Sequence, residues 1–386
     1  MGAMPVRPQV RPELLVWARE RSGLPEDALR QRFPKLEEWE SGTRHPTLKQ
    51  LEGFASATHT PVGFLFLPEP PEEHLPIPDF RVMADEEVGR PSADLLDTIF
   101  HCQQRQEWYR DFALLNREDP VRFVGTIAAA TPVGDVASEM RNTLAFDVAD
   151  RGSTWTEALR RLIDRAEEAG VLVMVSGVVG NNTHRKLDPR EFRGFALVDQ
   201  LAPLVFVNGA DTKAAQIFTL AHELAHIWRG QSALSDADLA RRPAAEVELW
   251  CNQVASEFLV PLNALADDFD GDEDLTKELE RLAKRFKVST LVALRRIHDA
   301  GRLSWDEYRA AYRAELDRIL EILDARGAPS GGDFYNTQPL RVSRRFARAV
   351  IESTMEGQTL QRDAFQMLGF RKVSTFHELA HRLGVD

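Results

Sequence analysis

The stretch FTLAHELAHIWRG, residues 218–230, decides how this chain is read. His222 and His226 are four residues apart, so on a helix both imidazoles leave one face and reach one cation. Glu223 follows the first histidine; its carboxylate stays close to the cation without ligating it and can accept a proton from water. Zinc accepts two neutral imidazoles, a carboxylate and a water, and lowers the pKa of that water. The flanking Phe218, Leu220, Leu224, Ala225, Ile227 and Trp228 are apolar, as a helix buried in a core requires.

HELAH occurs again at residues 377–381, within STFHELAHRLG. There Arg382 follows the second histidine, where the first copy has Ile227, and Lys372 lies just upstream. Five residues follow His381, too few to supply a third ligand. The second copy reads as a terminal helix packing Phe376, Leu379 and Leu383, with its histidines facing water.

A third ligand for the first copy is sought downstream, in PAAEVELWCNQVASEFLVP. Glu248 and Asn252 are four apart on one face, beside the apolar stripe of Val247, Cys251, Val254 and Phe258. Glu248 can ligate while Asn252 hydrogen-bonds a ligand imidazole. The competing carboxylates are Glu246, which shares a face with Trp250 and Gln253, and Glu257, which lacks a polar partner four residues on. Isolated His184 and Tyr312 read as structural and are not assigned to an oxyanion.

Before the motif, VLVMVSGVV, FRGFALVD and PLVFVN are β-rich runs bounded by turn residues and predict three strands. The sheet's edge is expected to hold an extended substrate as an added strand beside the metal. Helices are expected over about 91–116, 244–261, 275–300 and 304–326, with two more in PVGDVASEMRNTL and TWTEALRRLIDRAEEAG. Upstream, PELLVWARERSG, PEDALRQRF, KLEEWESG and PTLKQLEGFASATHTP read as four short helices, with Leu48, Leu51, Phe54 and Ala55 at helical spacing. The proline density of LPEPPEEHLPIPDFR forbids helix and favours an extended connector. The expected fold is α+β and mostly helical. Residues 10–67 form a helix-turn-helix domain, 68–90 a connector, 91–326 a zincin-like domain with a small sheet packed on helices, and 334–386 a helical appendix after the flexible RGAPSGGD.

With 43% hydrophobic and 28% charged residues the 386-residue composition is that of a soluble globular protein, and no apolar run is long enough to span a bilayer. Two cysteines, Cys102 and Cys251, cannot build a disulfide framework, which predicts a cytoplasmic protein. A net charge of −12 argues against general nucleic-acid binding. The basic run Arg341, Arg344, Arg345 and Arg348 reads as the solvated face of an amphipathic helix.

Residues 10–67 resemble the xenobiotic-response-element class of helix-turn-helix regulators, through WARERSGL, LEEWESGTRHPTLKQLEGFA and TPVGFLFLPEPP. The segment that should enter the major groove carries Glu37, Glu38 and Glu40 against Lys35, with Arg44 and Lys49 nearby. That acidity leaves a docking module without DNA binding as the alternative.

FTLAHELAHIW followed by ELWCNQVASEFLVP resembles the ImmA/IrrE family of bacterial metallopeptidases. The resemblance extends from the helix-turn-helix through the connector to SRRFARAVIESTMEGQTLQRDAFQMLGF. It implies a zinc-peptidase-like fold with Zn2+ held by His222, His226 and Glu248, and Glu223 as catalytic base. The family's usual task, cleavage of a DNA-bound repressor, implies a regulatory endopeptidase in stress, mobile-element or toxin-antitoxin control, with a repressor as substrate and a toxin as a further partner. The competing expectation is a DNA- or toxin-binding regulator whose zinc domain is structural or sensory. A third is a metal-loaded protein with negligible turnover until a partner repositions the substrate strand.

Overall fold

The computed structural model describes residues 6–79, 91–128, 130–235, 245–325 and 334–385. Residues 80–90 of the proline-rich connector and the linker expected at 326–333 lie outside these. The chain divides into two compact units, one of Met1–Pro76 with Gly89–Ile99, the other of Ile77–Val88 with Phe100–Asp386.

The first unit opens with α1 (Pro12–Ser22), α2 (Glu26–Arg32), α3 (Leu36–Glu40) and α4 (Leu48–Ala57). Leu14, Leu15, Leu36, Trp39, Leu51 and Phe54 form its core, and Phe54 meets Phe33 and Trp39 edge-on at 5.6 and 6.4 Å. Thr47 and Gln50 close a reciprocal capping box at the start of α4. Leu48 does not join the core as its spacing suggests: at the first position of α4 it is 41% exposed. The acidic side chains of α3 are all paired, Glu40 with Arg19 at 2.8 Å, Glu37 with Arg30 at 3.4 Å and Glu38 with Arg44 at 3.3 Å.

Helix α5 (Ala93–Leu115) begins in the first unit and continues in the second, followed there by α6 (Val133–Leu144) and α7 (Trp155–Glu168). A mixed sheet of β1 (Leu172–Ser176), β2 (Gly194–Leu197), β3 (Leu204–Asn208) and β4 (Ala233–Ser235) has the order β1-β3-β2-β4. β1 is parallel to β3, and β2 is antiparallel to both β3 and β4. The sheet is buried on both sides, so its strands read as near-continuous apolar runs. Val173, Val205 and Val207 face the helix α8 (Lys213–Arg229), while Phe195 stacks on Phe206 at 5.0 Å across β2 and β3.

Three strands were expected, and β4 is a fourth. Its three residues are too short for a period-2 pattern to register, and its place comes from pairing Ala233, Leu234 and Ser235 with Ala196, Phe195 and Gly194. The free edge of β4 is met by the connector: Leu234 N donates to Pro78 O at 2.9 Å, and Asp79 bridges to Leu234 in parallel.

Helices α9 (Glu246–Leu259), α10 (Leu262–Asp268), α11 (Leu275–Phe286), α12 (Thr290–Asp299) and α13 (Trp305–Ala325) complete this layer. The single helix expected over 275–300 is thus two. Lys287 turns left-handed at φ 58°, and Ser289 caps α12 by accepting from Val292 N at 3.2 Å. No glycine or proline marks that break, so the continuous apolar periodicity concealed it.

The C-terminal segment folds as α14 (Phe334–Val342), α15 (Arg344–Met355), α16 (Gln361–Leu368) and α17 (Val373–Leu383). Within α17, Phe376 and Leu379 are buried and His377 and His381 exposed. Of the basic run, Arg344, Arg345 and Arg348 pair with Asp164, Glu118 and Glu352. No helix among the described residues is long and apolar enough to cross a membrane.

Candidate metal centre

Thr212 caps α8 by accepting from Ala215 N, and every residue from 216 to 228 is buried. A helix apolar on nearly all sides belongs at the centre of a domain, and α8 lies between the sheet and α9. The approach of β2 is close because residue 194 is glycine: a Cβ there would lie 2.6 Å from the Thr219 methyl and 3.1 Å from Glu223 Oε1. A side chain at that position would push the strand off Glu223. At its far end α8 stops at Gly230, left-handed at φ 77°, and Phe123 stacks on Trp228 at 3.8 Å.

The histidines and Glu248 converge. His222 Nε2 lies 3.1 Å from Glu248 Oε2, His226 Nε2 lies 3.0 Å from Glu248 Oε1, and the two Nε2 atoms are 3.2 Å apart. Asn252 Oδ1 is 2.9 Å from His222 Nδ1, so this amide oxygen accepts the Nδ1 proton and leaves the Nε2 lone pair directed at the cluster. His222 Nε2 and the Glu248 carboxylate thus face each other as acceptors, and His226 Nε2 joins them as a third when its proton is on Nδ1. A proton on one imidazole relieves part of that repulsion, whereas a cation between them relieves all of it. Ligands about 2.0–2.1 Å from a tetrahedral zinc lie about 3.3 Å apart, close to the three separations found. The donor set fits a divalent cation.

Electrostatics point the same way. Burial alone would raise the Glu248 carboxyl, but His222 and His226 hold it down at about 2. Burial lowers the His226 pKa, favouring the neutral imidazole that a metal requires. Glu223 is raised well above the usual carboxylate range, first by burial and then by the Glu248 charge, with the Ser235 hydroxyl opposing. Apart from the Ser235 hydroxyl, the Glu223 carboxyl has no hydrogen-bond partner among the described residues. A buried carboxyl with so few partners is costly, and here it stands beside the cluster.

The competing carboxylates are elsewhere engaged. Glu246 is exposed at the start of α9, and Glu257 pairs with Arg296 of α12. His184 sits in an exposed turn, and Tyr312 packs on Tyr308 at 5.9 Å.

Two side chains of the site were not singled out from the sequence. The Ser235 hydroxyl lies 3.3 Å from His226 Nε2, carried there by β4. Cys251 joins His222 and His226 in a buried group whose ligand atoms lie within 4.8 Å of one another. Glu248, at 3.0–3.1 Å, stands at ligand spacing from both histidines. Cys251 follows Glu248 by three residues on α9, a spacing that could have flagged it; Ser235 had no such signal.

The site is closed. His222, Glu223 and His226 are 0% exposed and Glu248 1%. Ser235, at the end of β4, is also 0% exposed.

Residues 166–298, from the end of α7 to the end of α12, match the model of the M78 peptidase family, described as an IrrE N-terminal-like domain. This stretch contains α8, the sheet and Glu248, and its similarity is to a peptidase family. Residues 342–382 match a domain of unknown function, DUF8813. The two HELAH copies thus fall under different family models. No curated protein matches the chain.

Proposed function

We propose that this protein is a metal-dependent regulatory endopeptidase of the ImmA/IrrE kind, hydrolysing a partner protein, with a transcriptional repressor as the favoured substrate. The observation that carries the reading is the convergence of His222, His226 and Glu248 at 3.0–3.2 Å beside a buried Glu223 that has no partner but the Ser235 hydroxyl among the described residues. The M78 match over the same elements supports it. Zn2+ is the cation best suited to two imidazoles and a carboxylate, and when bound it supplies Lewis-acid polarisation of a peptide carbonyl and of water. Asn252 fixes the tautomer and ring plane of His222. Glu223, held at the cluster by the approach of β2, takes the proton of the attacking water and passes it to the leaving amine.

Complete burial of these groups favours one further element of the reading. A scissile peptide cannot reach Glu223 without a rearrangement that exposes it, and on this reading the element that moves is β4, which carries Ser235 to His226, with a partner displacing or extending the strand. Leu234 N, now bonded to Pro78 O, is the donor that an incoming strand would compete for.

The alternative, a DNA- or toxin-binding regulator with a structural zinc domain, places recognition in the first unit. Pairing of Arg19, Arg30 and Arg44 with the carboxylates of α3 weighs against it, since these cations are neutralised before any phosphate arrives.

The test is incubation of the zinc-loaded protein with the repressor encoded beside it, followed by mass spectrometry of the products. Discrete fragments are expected, absent with chelator and absent for Glu223→Gln, which still binds zinc; His222→Ala loses both metal and cleavage. Undiminished cleavage by Glu223→Gln would remove the assigned base. Sequence-specific, salt-sensitive DNA binding that survives zinc removal, with no fragments formed, would favour the regulator.

A further inference from the structure

A second cleft lies within the same unit, on the side of the sheet away from α8. Along β1, Val173 packs toward α8, so the alternation of the strand turns Met174 to the opposite face. There Met174 meets α5: Cys102 Sγ lies 3.8 Å from its sulfur and Arg105 Nη1 3.7 Å. Arg105, with His101 and Gln104 on the same helix, forms one wall of a cavity of about 440 Å³. The loop after β1 contributes Asn181, and α16 contributes Asp363 and Gln366. The two facing walls are pinned to each other, since Asn181 Nδ2 donates to Gly369 O at 2.7 Å.

Arg105 is the anomaly. It is half-buried, and burial lowers its pKa. Its hydrogen bond is to a thioether, a weak acceptor that engages one of five guanidinium donors. In a chain with 60 acidic and 48 basic residues, carboxylates are plentiful. Arginines elsewhere in the unit take them, as Arg345 takes Glu118 and Arg318 takes Glu315. A partly desolvated guanidinium held at a cavity wall without a carboxylate partner among the described residues is what oxyanion recognition requires. The carboxamides of Gln104, Asn181 and Gln366 add neutral donors around it. Asp363, which accepts from Arg362 at 3.1 Å, places a single carboxylate on the α16 wall. That carboxylate disfavours a bare polyanion and accepts an amine or ring N–H.

We infer that this cleft binds a small molecule presenting an oxyanion, phosphate or carboxylate, to Arg105 and an N–H donor to Asp363. The volume suits a ligand of amino-acid or mononucleotide size. The site is separate from the metal centre and stands whether or not the peptidase reading holds. Its walls join the region matched by the M78 model to that matched by DUF8813, so an occupant would tie the C-terminal helices to β1.

The test is titration of the full-length protein with inorganic phosphate and, separately, with acetate, followed by calorimetry. Saturable binding of at least one anion in the millimolar range is expected. Arg105→Met and Gln104→Glu should each weaken it tenfold or more, while Arg190→Met, on an exposed turn that does not line the cleft, leaves it unchanged. Gln104 is exposed, so its variant reports on the cleft even if Arg105→Met unfolds. Preference for phosphate or for acetate identifies the class of the natural ligand. Absence of saturable binding to the unaltered protein overturns the inference, and so does affinity unchanged in folded Gln104→Glu.

Discussion

Residue Arg151 shows how one buried side chain can close several accounts. It is 1% exposed, and its guanidinium donates to the carbonyls of Phe258 and Leu259, which end α9, and of Phe286, which ends α11. Terminal carbonyls of a helix have no partner four residues on, and burial denies these three water. Burial also pulls the Arg151 pKa down to about 9. Arg151→Met keeps the volume and strands all three acceptors, so it should destabilise the fold by roughly 3 kcal/mol or more; an unchanged denaturation midpoint would refute this account. Asn252 acts at the same scale through a single bond to His222 Nδ1 at 2.9 Å. Loss of such an outer partner should weaken zinc affinity by roughly 10- to 100-fold, read by competition with a chromophoric chelator. Both Glu248 and Asn252 were legible in the sequence because helical spacing alone puts them on one face. Arg151 was not, since its acceptors lie more than a hundred positions downstream.

At the scale of elements, β4 carries the greatest consequence. Its pairing with β2 brings Ser235 to His226, and its other edge is bonded by the connector through Leu234. Ile77, 7% exposed, anchors that connector segment. Replacing it with aspartate should release the segment, and hydrogen exchange should then quicken at the Leu234 amide while the α8 amides stay protected. Unchanged protection at Leu234 would show that something other than the Pro78 carbonyl shields it. The paired break between α11 and α12 belongs to the same lesson. A left-handed lysine followed by a serine cap ends one helix and starts another without the glycine or proline that a reader looks for. Strands of three residues and breaks without glycine leave no periodic trace.

At the scale of the whole second unit, Glu167 joins the end of α7 to the start of α15. Its carboxylate accepts from Ser343 Oγ at 2.6 Å and Arg344 N at 2.9 Å. Burial pushes the carboxyl up to about 7, with the Ser343 and Arg344 bonds opposing. The folded state therefore keeps a proton that the unfolded chain releases above its ordinary value. The stabilisation is complete below about pH 4.5 and is lost as pH rises to about 7, by roughly 3 kcal/mol at most. Glu167→Gln retains both acceptor bonds and should flatten this part of the pH–stability profile. The check is urea denaturation of both proteins between pH 5 and 8, by the same linkage; parallel profiles would place the Glu167 proton elsewhere.

By itself the sequence determined a buried helix with two histidines on one face, the carboxylate and amide that face it, the three longer strands and the exposure of the histidines in the second HELAH. Each of these is a matter of spacing along one element, where 3.6-residue and two-residue periods dictate which side chains share a face. Tertiary structure alone decided that Glu223 is sealed from solvent, that Ser235 stands by His226, that Arg105 meets a thioether and no carboxylate among the described residues, and that the connector bonds the outer edge of β4. Those facts depend on which segments meet after chain reversal, and local periodicity carries no record of such meetings.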